Sequence, residues 1–209
     1  MNKYLLSLAI SLVSINISVA KTQCLSIAVP EFNLTSDVNC TVSSAKLMSS
    51  RLPDQVFLYS LGLSAEETCF TIIDPVTGEE EVPGIISNPE TGEEIAITFS
   101  GVTGLTLNAY PAPTTPLSFT AASLLKIKVD GKPLGLIATR DAGTIVDFFD
   151  PVQASATARL TIAAGTGKFR RVSGYIDEIG KEFNSLDPAY ATGVLCGKKL
   201  AKSLFGKAE

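Results

Sequence analysis

The stretch ATARLTIAAGTGKFRRVSGYIDEIG, Ala156–Gly180, constrains the fold more than any other. Ala158, Leu160, Ile162 and Ala164 fall on one face of an extended chain, with Arg159 and Thr161 on the other. That period of two marks a strand with one buried face. Gly165-Thr166-Gly167 breaks the pattern, because two glycines one residue apart permit positive φ and a close backbone approach. Phe169 follows as an apolar plug. Gly174 stands at the foot of a second strand, Tyr175–Ile179, where a glycine suits a bulge or a sharp corner of a curved sheet. The local prediction is a β-hairpin.

The rest of the chain repeats this kind of signal. Gln23–Val29 reads as an opening strand ended by Pro30. Ser43–Leu52, free of glycine and proline, reads as a short helix, and Gln55–Leu63 as a buried strand. Leu105 and Leu107 alternate with Thr106, and Pro111, Pro113 and Pro116 form an extended connection that no central strand tolerates. Phe119–Val129 resumes as a strand. Asp130-Gly131 is the strongest hairpin signal in the chain. Leu134–Thr139 returns, Asp141-Ala142-Gly143 reads as a turn, and Thr144–Phe149 forms the next strand. A last strand spans Tyr190–Cys196. In Gly197–Lys207, Leu200, Leu204 and Phe205 share a helical face with the lysines largely off it, so a short terminal helix packs on the domain or docks on an acidic or membrane surface. Such a meander predicts an all-β chain forming a single antiparallel β-barrel of about eight strands, with a β-sandwich as the alternative.

Met1–Ala20 has one lysine, an apolar run from Leu5 to Ile17 and a small-x-small ending at Ser18-Val19-Ala20. It reads as a secretory signal peptide, leaving residues 21–209 as one domain that is secreted or periplasmic and not integral to a membrane. Four cysteines, Cys24, Cys40, Cys69 and Cys196, fit two disulfides in an exported protein. Of the three pairings, Cys24–Cys40 with Cys69–Cys196 is the expectation. Asn33-Leu34-Thr35 and Asn39-Cys40-Thr41 fit the glycosylation pattern of a eukaryotic secretory pathway.

The chain has no histidine. This removes Ser-His-Asp and Cys-His catalysis and histidine-bearing zinc sites. Carboxylates, tyrosines, lysines and arginines are left to carry any chemistry, and no cofactor is implied. The net charge of −4 and the lack of a basic patch interleaved with aromatics disfavour nucleic acid.

Residues 52–125 hold ten acidic residues and no lysine or arginine. Part of this charge lies in an internal echo: Asp74-Pro75-Val76-Thr77-Gly78-Glu79-Glu80 returns as Asn88-Pro89-Glu90-Thr91-Gly92-Glu93-Glu94. Asx-Pro opens a turn and Thr-Gly closes it, giving strand, acidic turn, strand, acidic turn, strand. Glu79, Glu80, Glu81, Glu93 and Glu94 either supply oxygens to a cation such as calcium or keep sheet edges soluble. No Asp-x-Asp-x-Asp-Gly loop accompanies them, and the second reading is preferred.

Gly165-Thr166-Gly167-Lys168-Phe169, with Gly174 five residues on, resembles the GTG-K/R-F…G turn of the allene oxide cyclase and dirigent-like barrels. The resemblance covers about 25 of the 209 residues. It implies an eight-stranded antiparallel barrel with an apolar lumen. That family includes a cyclase, proteins that steer phenoxy-radical coupling, and many secreted proteins without a known activity. Its members often assemble as trimers or dimers, which implies a homo-oligomer here. The family's catalytic carboxylates match no positions in this chain.

Arg140, Asp141, Asp147, Arg159 and Tyr175 lie on or beside neighbouring predicted strands. Facing inward, a carboxylate and a guanidinium would orient or polarise a small ligand; facing outward, they would form a salt-bridge ladder. The ladder is preferred. Three functions follow. The first is an exported barrel that binds a small apolar ligand or serves as a structural module. The second is a cyclase or isomerase of the allene-oxide-cyclase type, with Asp147, Arg159 or Tyr175 in the lumen. The third is a surface adhesion or pilus-like sandwich with a free edge strand. Whether the chain is an enzyme stays open.

Overall fold

The computed structural model describes residues 22–36, 69–107, 116–147, 150, 153–182 and 186–206. The leader, Cys40, Asn39, the helix expected at Ser43–Leu52, the strand expected at Gln55–Leu63, and Pro111 and Pro113 lie outside them. Among the described residues nine strands follow in order: β1 Gln23–Ser36, β2 Cys69–Ile73, β3 Val82–Ser87, β4 Glu94–Leu107, β5 Leu117–Val129, β6 Lys132–Val146, β7 Ser155–Gly165, β8 Ser173–Gly180 and β9 Ala189–Gly197. Among the described residues one helix, α1, spans Leu200–Phe205. All strand pairs are antiparallel, and β1 pairs with β9 from Gln23↔Gly197 to Phe32↔Ala189. That seam closes β1 and β3–β9 into an eight-stranded barrel, with β2 as an extra strand. The expected barrel is present, and the sandwich is not.

Three local expectations change. β1 does not stop at Pro30. The register with β9 shifts between Val29 and Phe32, so the proline sits in an irregularity where its missing N–H costs no ladder bond. β6 runs unbroken through Asp141-Ala142-Gly143, because Ile137, Thr139, Asp141 and Ile145 continue the buried face. The first acidic turn does not fold β2 and β3 into a hairpin. Both strands run antiparallel to β1, β2 at Asn33–Ser36 and β3 at Ser26–Ala28, so they lie end to end between β1 and β4.

The two echoed turns nevertheless adopt one structure. Asp74 N–H donates to Glu79 O and Asn88 N–H to Glu93 O, each at 2.8 Å. Gly78 N–H donates to Asp74 O and Gly92 N–H to Asn88 O. The Asx side chains accept from Val76 N–H and Glu90 N–H two residues on. The same words thus give the same turn in two contexts, once as a protruding excursion and once as the β3–β4 hairpin. On the return from the excursion, Glu81 pairs with Lys128 of β5.

One end of the barrel is sealed. Its connections are tight: the β3–β4 turn, Asp130-Gly131 with both φ positive (49° and 71°), and the Gly165–Phe169 turn. Gly167–Phe169 form one 3-10 turn, and Phe169 is fully buried as the expected plug. Leu136 N–H donates to Thr166 Oγ1, and Thr166 N–H to Leu136 O, which lashes the turn to β6. Gly167 (φ 58°) and Gly174 (φ 136°) take backbone conformations that favour glycine, and a Cβ on Gly165 would strike the Phe169 carbonyl. Phe99, Leu125, Ile127 and Ile137 fill the lumen here, each worth about 1.5–3 kcal/mol of burial. α1 packs on the same end through Leu200 and Ala201, with Gly206 in the left-handed conformation at its C-terminus.

Cys24 and Cys196 face each other across the seam and form a disulfide. This overturns both expected pairings. Sequence proximity favoured a local Cys24–Cys40 loop, but closure brings the first strand against the last.

Candidate functional site

At the other end β4, β6 and β8 finish and β5, β7 and β9 begin. A cavity enters the lumen there. Leu34, Phe70, Phe119, Ile145 and Leu160 supply apolar walls, and Asp141, Glu178 and Glu182 supply carboxyls. With its open mouth the concavity measures about 370 Å³, part of which is open solvent. Its enclosed part leaves about 20 Å³ to the centre of a water molecule, room for about one water.

Strand alternation places these groups. Ala121, Asp141, Leu160 and Ile176 pair successively across β5–β8, and Phe119, Gly143, Ala158 and Glu178 form the next layer toward the mouth. Gly143 keeps that layer open, because a Cβ there would lie 2.6 Å from Phe119 Cζ. Gly143→Ala is expected to cost about 1–3 kcal/mol through overpacking, read as a lower denaturant midpoint at unchanged slope. Glu182 follows β8 and is pinned by Leu34 N–H, which donates to its backbone carbonyl at 2.6 Å.

Asp141 and Glu182 are each only 5% exposed. Ser123 Oγ donates to Asp141 Oδ2 at 2.6 Å and lies 2.9 Å from Thr103 Oγ1. Thr139 Oγ1 donates to Ser123 O. Asp141 Oδ1 is buried with no hydrogen-bond partner. Burial pushes the Asp141 carboxyl up to about 7, with the Ser123 and Thr139 hydroxyls holding it back. Burial and the charge of Asp141 push Glu182 up to about 7. Glu178 is raised well above its ordinary value by burial and by the neighbouring charges of Glu182 and Asp141. Among the described residues no lysine or arginine lines the cavity. The arrangement can hold protons near neutral pH and can accept hydrogen bonds from a guest.

The other sequence candidates lie elsewhere. Arg159, across β7–β8 from Asp177, donates to it with Nε and Nη2 at 2.7 and 2.8 Å on the outer wall. Its guanidinium lies 4.2 Å from the Tyr175 ring centroid. Arg140 is also exposed, and Asp147 stands exposed just beyond β6. So the five residues divide: Asp141 is in the lumen, Arg159 and Tyr175 belong to an outer ladder, and Arg140 and Asp147 face solvent. Arg159→Ala is expected to leave the melting temperature unchanged by calorimetry, since exposed pairs contribute little.

Glu79, Glu80 and Glu93 stand in exposed turns and Glu94 opens β4, exposed too; Glu93 and Glu94 accept from Thr91 Oγ1 and Ser87 Oγ. Among the described residues no three His, Cys, Asp or Glu side chains are arranged to hold a metal ion. Asn33 is buried in β1 and is no glycan acceptor in the folded chain.

Glu178 and Glu182 escaped sequence reading. The signal for Glu178 was present: it lies two residues after Ile176, on the face of β8 opposite Tyr175 and Asp177. Glu182 follows the strand and has no such periodic mark. No protein-family model, curated protein or solved structure matches this chain.

Proposed function

We propose that this protein is an exported barrel that binds a small, mainly apolar molecule at the open end of its lumen. The carrying observation is a cavity with apolar walls and three carboxyls, opposite an end sealed by Phe169. Deep apolar concavities with few convergent polar groups are the usual form of a ligand site. Export is supported by the leader-like Met1–Ala20 and by the Cys24–Cys196 disulfide, a bond that persists in oxidising compartments. Among the described residues no helix is long and apolar enough to cross a membrane. Both edges of β1 and β9 are paired, which supports this reading over a pilus-like one with a free edge strand.

A second reading is acid–base catalysis of the cyclase or isomerase kind. It is favoured by carboxyls tuned near neutral pH in a water-poor space, and its residues are Asp141, Glu178 and Glu182 in place of Asp147, Arg159 and Tyr175.

Binding is tested with the neutral dye N-phenyl-1-naphthylamine. Saturable fluorescence enhancement is expected for the native protein and its loss for Ala158→Trp, which fills the cavity, with circular dichroism confirming the fold. Absence of saturable binding to the native protein would remove the reading.

A further inference from the structure

We infer that the open-end cavity selects a ligand bearing a protonated amine on an apolar body, with the ammonium seated against Asp141 Oδ1. The inference rests on the lumen being a ligand site. Asp141 is deeply buried, and its Oδ2 is taken by Ser123 while Oδ1 has no donor. A buried acceptor without a partner calls for a donor from outside the described residues. An ammonium has three donors and no acceptor, which suits a site rich in carboxylate oxygens.

Among the described residues the surrounding elements leave the charge unopposed. β8 contributes Glu178, and the segment after it contributes Glu182. β1, β2, β4, β5 and β7 present only apolar or hydroxyl side chains to the cavity, and from β6 Ile145 accompanies Asp141. The nearest arginine on β7, Arg159, is committed to Asp177 outside the barrel. An anionic guest would meet like charge. A neutral alcohol would bring one donor and no countercharge. A metal ion finds no three-ligand arrangement among the described residues. The apolar walls take the hydrocarbon.

Binding of a cation favours the ionised carboxylates, so the site must release protons when it fills near neutral pH. Affinity then rises with pH by about tenfold per unit for each proton released, until the site is ionised. Above about pH 10 the amine loses its own proton and affinity falls again.

The test is calorimetric titration with hexylamine, hexanol and hexanoate at pH 7, in two buffers of different ionisation heat. Hexylamine is expected to bind at least about tenfold more tightly than hexanol, hexanoate not at all, and the amine's heat to depend on the buffer. Its affinity is expected to fall about tenfold between pH 8 and pH 6. Asp141→Asn and Glu178→Gln should each lose the preference for amine while keeping hexanol. Hexanol or hexanoate binding as tightly as the amine, with Ala158→Trp blocking it, overturns the amine selection and leaves the ligand site standing. Amine preference surviving both variants overturns it too. If none of the three compounds binds and the neutral dye also fails, the ligand site itself falls.

Discussion

Stability is expected to fall as pH rises from about 4 to about 8, the reverse of ordinary acid denaturation. The Asp141 carboxyl is pushed up to about 7 by burial, against 3.8 for the free side chain. Between those values the folded chain holds a proton that the unfolded chain has released. Unfolding is then favoured by raising the pH, and the stabilisation is fully present only below the unfolded value. The shift corresponds to about 4 kcal/mol lost by pH 8, at about 1.4 kcal/mol per pH unit. Glu182, also at about 7, and Glu178 act in the same direction, but like-charge coupling makes the three less than additive. Asp177, lowered by Arg159, and Asp74, lowered by the Thr77 and Val76 amides, pull the other way from the surface, where solvent screens them. Asp141→Asn is therefore expected to match the native protein near pH 4.5 and to exceed it at pH 8, because the amide keeps the Ser123 bond without a buried charge. Urea unfolding at pH 4.5, 6, 7 and 8 reads this directly. A variant with the native pH profile would show that Asp141 does not carry the proton.

Removing the Cys24–Cys196 bond should produce the largest loss from covalent change. It links residues 172 apart, so it constrains nearly the whole described chain in the unfolded state. The loop-entropy relation gives about 5 kcal/mol for a loop of this size. For a domain of this length that is a drop of about 10–20 °C in melting temperature. Cys24→Ser combined with Cys196→Ser, followed by calorimetry, checks it. An unchanged melting temperature would mean that the seam's hydrogen bonds alone hold the ends together.

Much of the barrel was legible because local chemistry and global closure agree. Asp130-Gly131 demands a tight turn wherever it occurs, and Gly165–Phe169 leaves no room for larger residues. The alternation of Ala158, Leu160 and Ile162 needs only a buried face. Asp141 was harder. An Asp-Ala-Gly triplet carries turn chemistry, but here the sheet on both sides supplies its hydrogen bonds and Gly143 serves Phe119 rather than a turn. Tertiary pairing overrode local preference. The inward direction of Asp141 and the outward direction of Arg159 depend on register, which a single strand does not encode. The β1–β9 seam was invisible for the same reason, since nothing in Cys24 or Cys196 names its partner. Pro30 misled because a proline ends an ordinary strand, yet a register shift absorbs it.

The seam also sets the order of events at birth. β1 is made first and β9 last, and neither has its full set of partners until the other arrives. A chain made only as far as β8 has an open sheet and a missing wall. Closure therefore waits for β9, and the Cys24–Cys196 bond waits with it. Contacts between distant parts of a chain form slowly, and here the most distant pair locks the structure. A protein built this way stays loose until its last described strand is made, and becomes a barrel only with β9 in place.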